Sequence, residues 1–344
     1  IVMLGEWDRD TTIEYFKASD DPNWAKAIAV SLQYLIIEKG YSCIKYFNYV
    51  NEPNGDWAIN EDRDNWTIWS NGIKNLQQEL IRTNLIDKIT IAGPDSTFAD
   101  IWIDKCVDGF PEKIGCYEFH KYAFFHEVSS GAIEKLVSQK KQYIVNHDER
   151  GAEKLFVMGE AGLIDGKNSK DQQKNIKSFE YGLYMADYII QCMRGGMDGA
   201  ILWMLDDCMH NAPNAQAGQY KEWGLFSSLE KENRPGYYPM GAISRCFFRI
   251  NHIEIPDISG DIKAVIGKND GKSVMAIVNN SYKSKETSLV DFNIDNAYLY
   301  AYTPYNTNDK RNIKKLTNIS RVLIPPKSLI VIADFDIWES NNAE

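Results

Sequence analysis

The chain of 344 residues, 44% hydrophobic and 25% charged, has an ordinary globular composition and can bury a substantial core. Its formal charge of −10 argues against a nucleic-acid partner or an anionic membrane surface, because both demand a basic face. No apolar run is long enough to cross a bilayer, and no signal-peptide pattern is visible in the opening IVMLGEW, which reads as a strand already under way.

The first two-thirds alternates short apolar runs with amphipathic stretches, the pattern of βα units around a parallel sheet. Strands are predicted at 1–7, 43–53, 89–95, 114–122, 154–162 and 199–207. Helices are predicted near 22–39, 64–84, 97–107, 129–148 and 170–195, with another on MGAISRCFFRI after a long loop. Six such units fit a (β/α)8 barrel that is two units short, the missing pair being expected ahead of Ile1. A six-stranded open sheet is the alternative. From about residue 251, short alternating strands separated by pieces such as KNDGKS and NTNDK predict an antiparallel β-sandwich. The expected division is a catalytic barrel over 1–250, beginning at about strand three, and an accessory sandwich over 251–338. The six cysteines show no CxxC spacing and are read as free thiols.

Two predicted strands run into a carboxylate. YFNYVNEPNG carries Asn51 and Glu52, and LFVMGEAG carries Glu160. If the first is barrel strand four, the second is strand seven, and the two carboxylates face each other across the barrel mouth. Paired carboxylates about 5–5.5 Å apart are what double-displacement glycoside hydrolysis needs. Either Glu alone would read as a loop-pairing or capping carboxylate; together they point to a site. His120 and Tyr122 alternate along EFHKY and share a face. A tyrosine hydroxyl near Glu160 would hold a nucleophile ionised. Asn51 is placed to bond a sugar hydroxyl, and Trp203, in ILWML, to floor a sugar subsite. The 9 Trp, 19 Tyr and 14 Phe suit a cleft that stacks on sugar rings, although most must be core.

The ordered set Asn51-Glu52-Pro53, His120-x-Tyr122, Glu160 and Trp203 resembles the signature of glycoside hydrolase clan A, nearest in flavour to families thirty-nine, five and thirty. The resemblance implies a retaining (β/α)8-barrel glycosidase with Glu52 as acid/base and Glu160 as nucleophile. It further implies that Asn51 contacts the 2-hydroxyl, Tyr122 supports the nucleophile, and His120 and Trp203 line the catalytic subsite. Clan members usually carry an Arg after strand two, which this chain does not supply. The implied substrate is an oligo- or polysaccharide with β-glycosidic bonds, for which a secreted or periplasmic location is favoured. A non-catalytic carbohydrate-binding barrel is the rival.

Weaker signals complete the reading. Trp7, beside Glu6 and Asp8, and Trp57 and Trp223 are candidate sugar contacts. Asp206, Asp207, Cys208 and His210 match no familiar ligand spacing and read as a cleft-lining loop, so no metal is expected. Lys121 is a poor Schiff-base candidate, and no phosphate or dinucleotide fingerprint is present, so no cofactor is expected.

Overall fold

The six predicted strands of the first two-thirds all form, and they hydrogen-bond in chain order. The computed structural model describes residues 2–5, 18–55, 63–99, 101–169, 172–209, 220–248, 250–258, 261–269, 271–288, 292, 296–306, 313–317 and 321–337. By internal contacts it falls into two compact units. The first comprises Ile1–Lys121, Gln139–Ala161 and Met197–Ile201; the second comprises Tyr122–Ser138, Gly162–Gly196 and Leu202–Glu344.

The first unit is built on the sheet β1 (Val2–Gly5), β2 (Ile44–Asn48), β3 (Thr90–Ser96), β4 (Cys116–Ala123), β5 (Leu155–Leu163) and β6 (Gly199–Leu202). The pairings β1–β2, β2–β3 and β3–β4 are parallel. In chain order the strands alternate with α1 (Pro22–Gln33), α2 (Asn65–Arg82), α3 (Trp102–Gly109), α4 (Phe125–Ser129), α5 (Ala132–His147) and α6 (Phe179–Arg194), of which α4 and α6 fall in the second unit. This alternation is a partial (β/α)-barrel sheet.

The helices start where local chemistry tells them to. The Asp21 side chain accepts from the Asn23 N–H at 2.9 Å and Pro22 opens α1, so a cap and a pre-set φ coincide. Asp64 accepts from the Thr67 N–H at the head of α2. Ile28, Ala29 and Leu32 of α1 and Trp69, Ile73, Leu76 and Leu80 of α2 recur at helical spacing and are buried. Gly72 is needed where it stands, because a Cβ there would sit 2.3 Å from a ring carbon of the fully buried Tyr49.

Three strand boundaries differ from the sequence reading; β6 ends at Leu202 rather than at residue 207, so Trp203 lies beyond it. β2 ends at Asn48 rather than at Pro53, and residues 49–55 form bends and turns. Pro53 and Gly55 are turn residues, and they outweigh the aromatic run before them. β5 continues to Leu163, so Glu160 lies inside the strand rather than at its end.

The second unit holds two short hairpins, β7 (Cys208–Met209) with β8 (Tyr220–Lys221) and β9 (Phe226–Ser227) with β10 (Glu232–Asn233), followed by α7 (Tyr237–Cys246). The sandwich follows: β11 (His252–Glu254), β12 (Ile262–Asn269), β13 (Lys272–Asn279), β14 (Lys285–Ser288), β15 (Asn296–Tyr302), β16 (Ile313–Thr317), β17 (Arg321–Ile324) and β18 (Ser328–Ala333). Six of them form one antiparallel sheet, ordered β11-β12-β13-β18-β15-β16, and β14 pairs with β17. Alternate residues of β12, β13, β17 and β18 bury Ile262, Ile266, Ile277, Ile324, Ile330 and Ile332 in one core. α6 and α7 also pack on this sheet, and the Tyr302 hydroxyl donates to the Phe179 carbonyl at 3.1 Å.

Candidate active site

Three strands of the first unit deliver a cluster of buried polar groups. The turn after β2 supplies Glu52, β3 supplies Asp95, β4 supplies Glu118 and His120, and β5 supplies Glu160. Glu118 and His120 are two residues apart on β4 and therefore share a face. Asp95 falls where the β3–β4 register slips, between Pro94 and Ser96, so it stands out of the ladder as a bulge residue.

Backbone conformation aims two of these carboxylates. Glu52 and Asp95 have φ of 44° and 58°, in the left-handed region that non-glycine residues rarely enter. The Glu52 N–H donates to the Asp95 carbonyl at 3.1 Å and ties the two strained residues together. The Asn54 amide reinforces the join, donating to the Thr97 carbonyl at 3.1 Å and accepting from the Thr97 N–H at 2.8 Å. Strain of this kind, of order ~1–3 kcal/mol per residue, clusters at functional sites.

His120 is the hub, only 1% exposed. Its Nδ1 lies 2.9 Å from Glu52 Oε1 and 3.6 Å from Glu160 Oε2, while its Nε2 lies 2.7 Å from Asp95 Oδ1. Burial opposes a charge on the ring. The hydrogen bonds to Asp95 and Glu52, with the charges of Asp95 and Glu160, outweigh it and push the imidazole up to about 10. At neutral pH His120 is therefore an imidazolium.

Glu118 takes the opposite course. It is fully buried, and burial followed by the Asp95 charge raises its carboxyl well above the ordinary range; His120 offsets part of this, and the Glu160 charge adds to the rise. One oxygen of Glu118 and one of Asp95 are buried without a hydrogen-bond partner among the described residues. The cluster closes over Gly159, where a Cβ would come within 3.1 Å of His120 Cδ2, 3.2 Å of Asp95 Oδ1 and 3.2 Å of Glu118 Oε2.

One ligand atom each from Glu52, His120 and Glu160 lie within 4.8 Å of one another, a spacing that could also hold a cation. An imidazolium whose two nitrogens both face carboxylates has no lone pair to offer a metal; His120 is hydrogen-bonded to Glu52 and paired by charge with Glu160.

The other sequence-derived candidates are placed as follows. Asn51 is half-buried beside Glu52. In the second unit, Tyr122 is half-buried, with its ring edge-on to Trp223 at 5.4 Å. Trp203 is half-buried there too, with Lys221 Nζ 5.5 Å from its ring. Glu6, Trp7, Asp8, Trp57 and His210 lie outside the described residues, as does the Cys208 side chain. Asp207 is structural: it pairs through both oxygens with Arg234 at 2.7 Å and accepts from the Gly224 N–H. Cys43, Cys106, Cys116, Cys192 and Cys246 are free thiols, all but Cys43 buried. Asp95 and Glu118 are the residues that the sequence reading passed over.

No protein-family model and no curated protein matches this chain. Solved structures do. A GH30 endoxylanase from Clostridium papyrosolvens C71 is 17% identical, with a TM-score of 0.62 over 97% of this chain and 79% of that one. A GH39 β-xylosidase from Caulobacter crescentus is 12% identical, with a TM-score of 0.62 over 90% and 71%. A conserved exported protein from Bacteroides fragilis is 14% identical, with a TM-score of 0.63 over 91% and 69%. The chain shares the fold of these structures. Among the described residues, no helix is long and apolar enough to cross a membrane.

Proposed function

We propose that the chain is a retaining β-glycosidase, with Glu52 as acid/base and Glu160 as nucleophile. One observation carries the reading: oxygens of the two carboxylates lie within 4.8 Å of each other. That suits direct attack on the anomeric carbon and falls short of the ~6.5–9.5 Å that an inverting enzyme needs to seat a water between its carboxylates.

In the first step Glu52 gives its proton to the glycosidic oxygen while Glu160 bonds to the anomeric carbon and the aglycone leaves. In the second, Glu52 takes a proton from water, whose oxygen bonds to the same carbon and releases Glu160. The imidazolium of His120 touches Glu52 and stands near Glu160, so it holds both carboxylates in place without giving up its proton. Asn51, Tyr122, Trp203, Trp7 and Trp57 are proposed as sugar contacts. The similar structures named for a substrate are a xylanase and a xylosidase, which makes β-linked xylose chains the first substrates to assay. A secreted or periplasmic location accords with such a substrate and with the exported protein among the similar structures.

The test is the anomer released first, followed by proton NMR during turnover of a β-linked oligosaccharide. Retention requires the β-anomer to appear before mutarotation. An α-anomer at early times would overturn the mechanism, and binding without any turnover would favour a non-catalytic carbohydrate-binding barrel.

A further inference from the structure

The second unit carries a polar cleft of about 670 Å³, lined chiefly by the loop joining β13 to β14 and by Lys263. Its size falls in the ~300–1,000 Å³ range of small-ligand sites. The loop is held from inside by the buried side chain of Asn279. Its amide donates to the carbonyls of Lys283 at 2.9 Å and Pro325 at 2.8 Å, and its oxygen accepts from the Ser281 N–H at 3.0 Å and hydroxyl at 2.8 Å. The Lys327 N–H adds a bond to the Ser281 carbonyl at 3.0 Å.

What this fixed loop presents is unusual. Tyr282 stands 85% exposed at its tip, its ring steadied by Lys327 Nζ at 4.5 Å from the centroid. The hydrogen bonds that hold the loop keep this exposed ring in a fixed place. The lysines divide in two. Lys263 is spent on the buried Asp187 at 3.0 Å, which also accepts from Asn280. Lys283 and Lys285 line the cleft and form no ion pair with any described residue. Against them stands one rim carboxylate, Asp261.

We propose that this cleft binds a saccharide bearing a carboxylate, a uronic-acid unit, at a site separate from the Glu52–Glu160 pair. The Tyr282 ring offers a flat amphipathic face for a sugar ring. Lys283 and Lys285 supply point charges for its carboxylate, and the serine hydroxyls supply polar partners for its hydroxyls. A bare anion site would have no use for the tyrosine.

The test is calorimetric titration of the full chain with a uronic-acid oligosaccharide, a neutral oligosaccharide of equal length, and inorganic phosphate. The acidic oligosaccharide is expected to bind about tenfold more tightly than the neutral one, the size of one or two charge-assisted contacts. The double substitution Lys283→Ala with Lys285→Ala removes that preference, Tyr282→Ala weakens both sugars, and high salt lowers the acidic affinity. Equal binding of acidic and neutral sugars overturns the proposal, as does an unchanged double variant. Phosphate competing fully with no effect of Tyr282→Ala also overturns it, by reducing the cleft to a plain anion site. Binding is read without turnover, so the outcome is independent of whether Glu52 and Glu160 hydrolyse anything.

Discussion

Asp95 Oδ1 lies 2.7 Å from His120 Nε2, on the edge of the ring opposite the one that meets Glu52. The Asp95 side chain therefore acts on the carboxylate pair through His120, as a positioning residue. Replacing it with Asn keeps the shape and removes the charge that does most to keep the ring protonated. With Asp95 in place, His120 has its ordinary value of 6.5 raised to about 10. The stability it contributes is full below 6.5 and is lost as pH rises through about 10. In Asp95→Asn that loss moves to lower pH, and the alkaline limb of the rate profile moves with it. A kcat decrease of ~10–100-fold at neutral pH is expected, with KM little changed. An alkaline limb that stays put would show that Asp95 serves only to pack the strand.

These residues also mark how far the sequence could be read. Glu52 and Glu160 were legible as candidates because each follows a short apolar run with a carboxylate at its end. The missed residues are the ones whose placement depends on local irregularity. Asp95 reaches His120 through a bulge and a left-handed backbone, and neither leaves a trace in hydrophobic periodicity. Glu118 had a signal: the alternation in EFHKY that puts His120 and Tyr122 on one face puts Glu118 there as well. A charged glutamate is costly inside a buried strand, and the raised carboxyl of Glu118 lessens that cost. The strand and helix order was legible throughout, while the early end of β2 was not, because its aromatic run masks the turn residues Pro53 and Gly55.

Gly159→Ala tests how tightly the cluster is closed. The new methyl would press on His120, Asp95 and Glu118 at 3.1–3.2 Å, and none of the three is the free end of a mobile surface chain. Overpacking of this kind costs about 1–3 kcal/mol. A folded protein with lowered Tm and sharply reduced kcat is expected, measured by thermal melting beside initial rates. Wild-type rates in this variant would mean that the cluster tolerates displacement and does not set the catalytic geometry.

Glu118→Gln separates charge from shape at the most buried carboxyl. The folded-state value of Glu118 stands well above its unfolded 4.5, so its contribution to stability is present below 4.5 and is lost as pH climbs towards the folded value. Glutamine mimics the protonated acid at every pH. The two proteins should melt alike near pH 4, and the variant should gain an increasing Tm advantage as pH rises to 8. Parallel Tm curves across that range would show that Glu118 is ionised in the folded protein.

Glu160→Ala bears on the covalent step itself. Removing the nucleophile deletes the glycosyl-enzyme route, so turnover of an aryl β-glycoside should fall by at least ~10⁴-fold. The vacated space leaves room for a small anion on the face of the sugar that Glu160 attacks. Azide added in excess should restore release of the activated leaving group and yield the glycosyl azide of inverted configuration, because a single displacement replaces two. Glu52→Ala should respond differently. With an aryl leaving group that needs no proton, its first step stays fast and the glycosyl-enzyme accumulates; azide then attacks that intermediate from the Glu52 side and gives the azide of retained configuration. The two product configurations, distinguished by proton NMR, assign the two carboxylates independently of any rate. If Glu160→Ala yields the retained azide and Glu52→Ala the inverted one, the roles assigned to the pair must be exchanged.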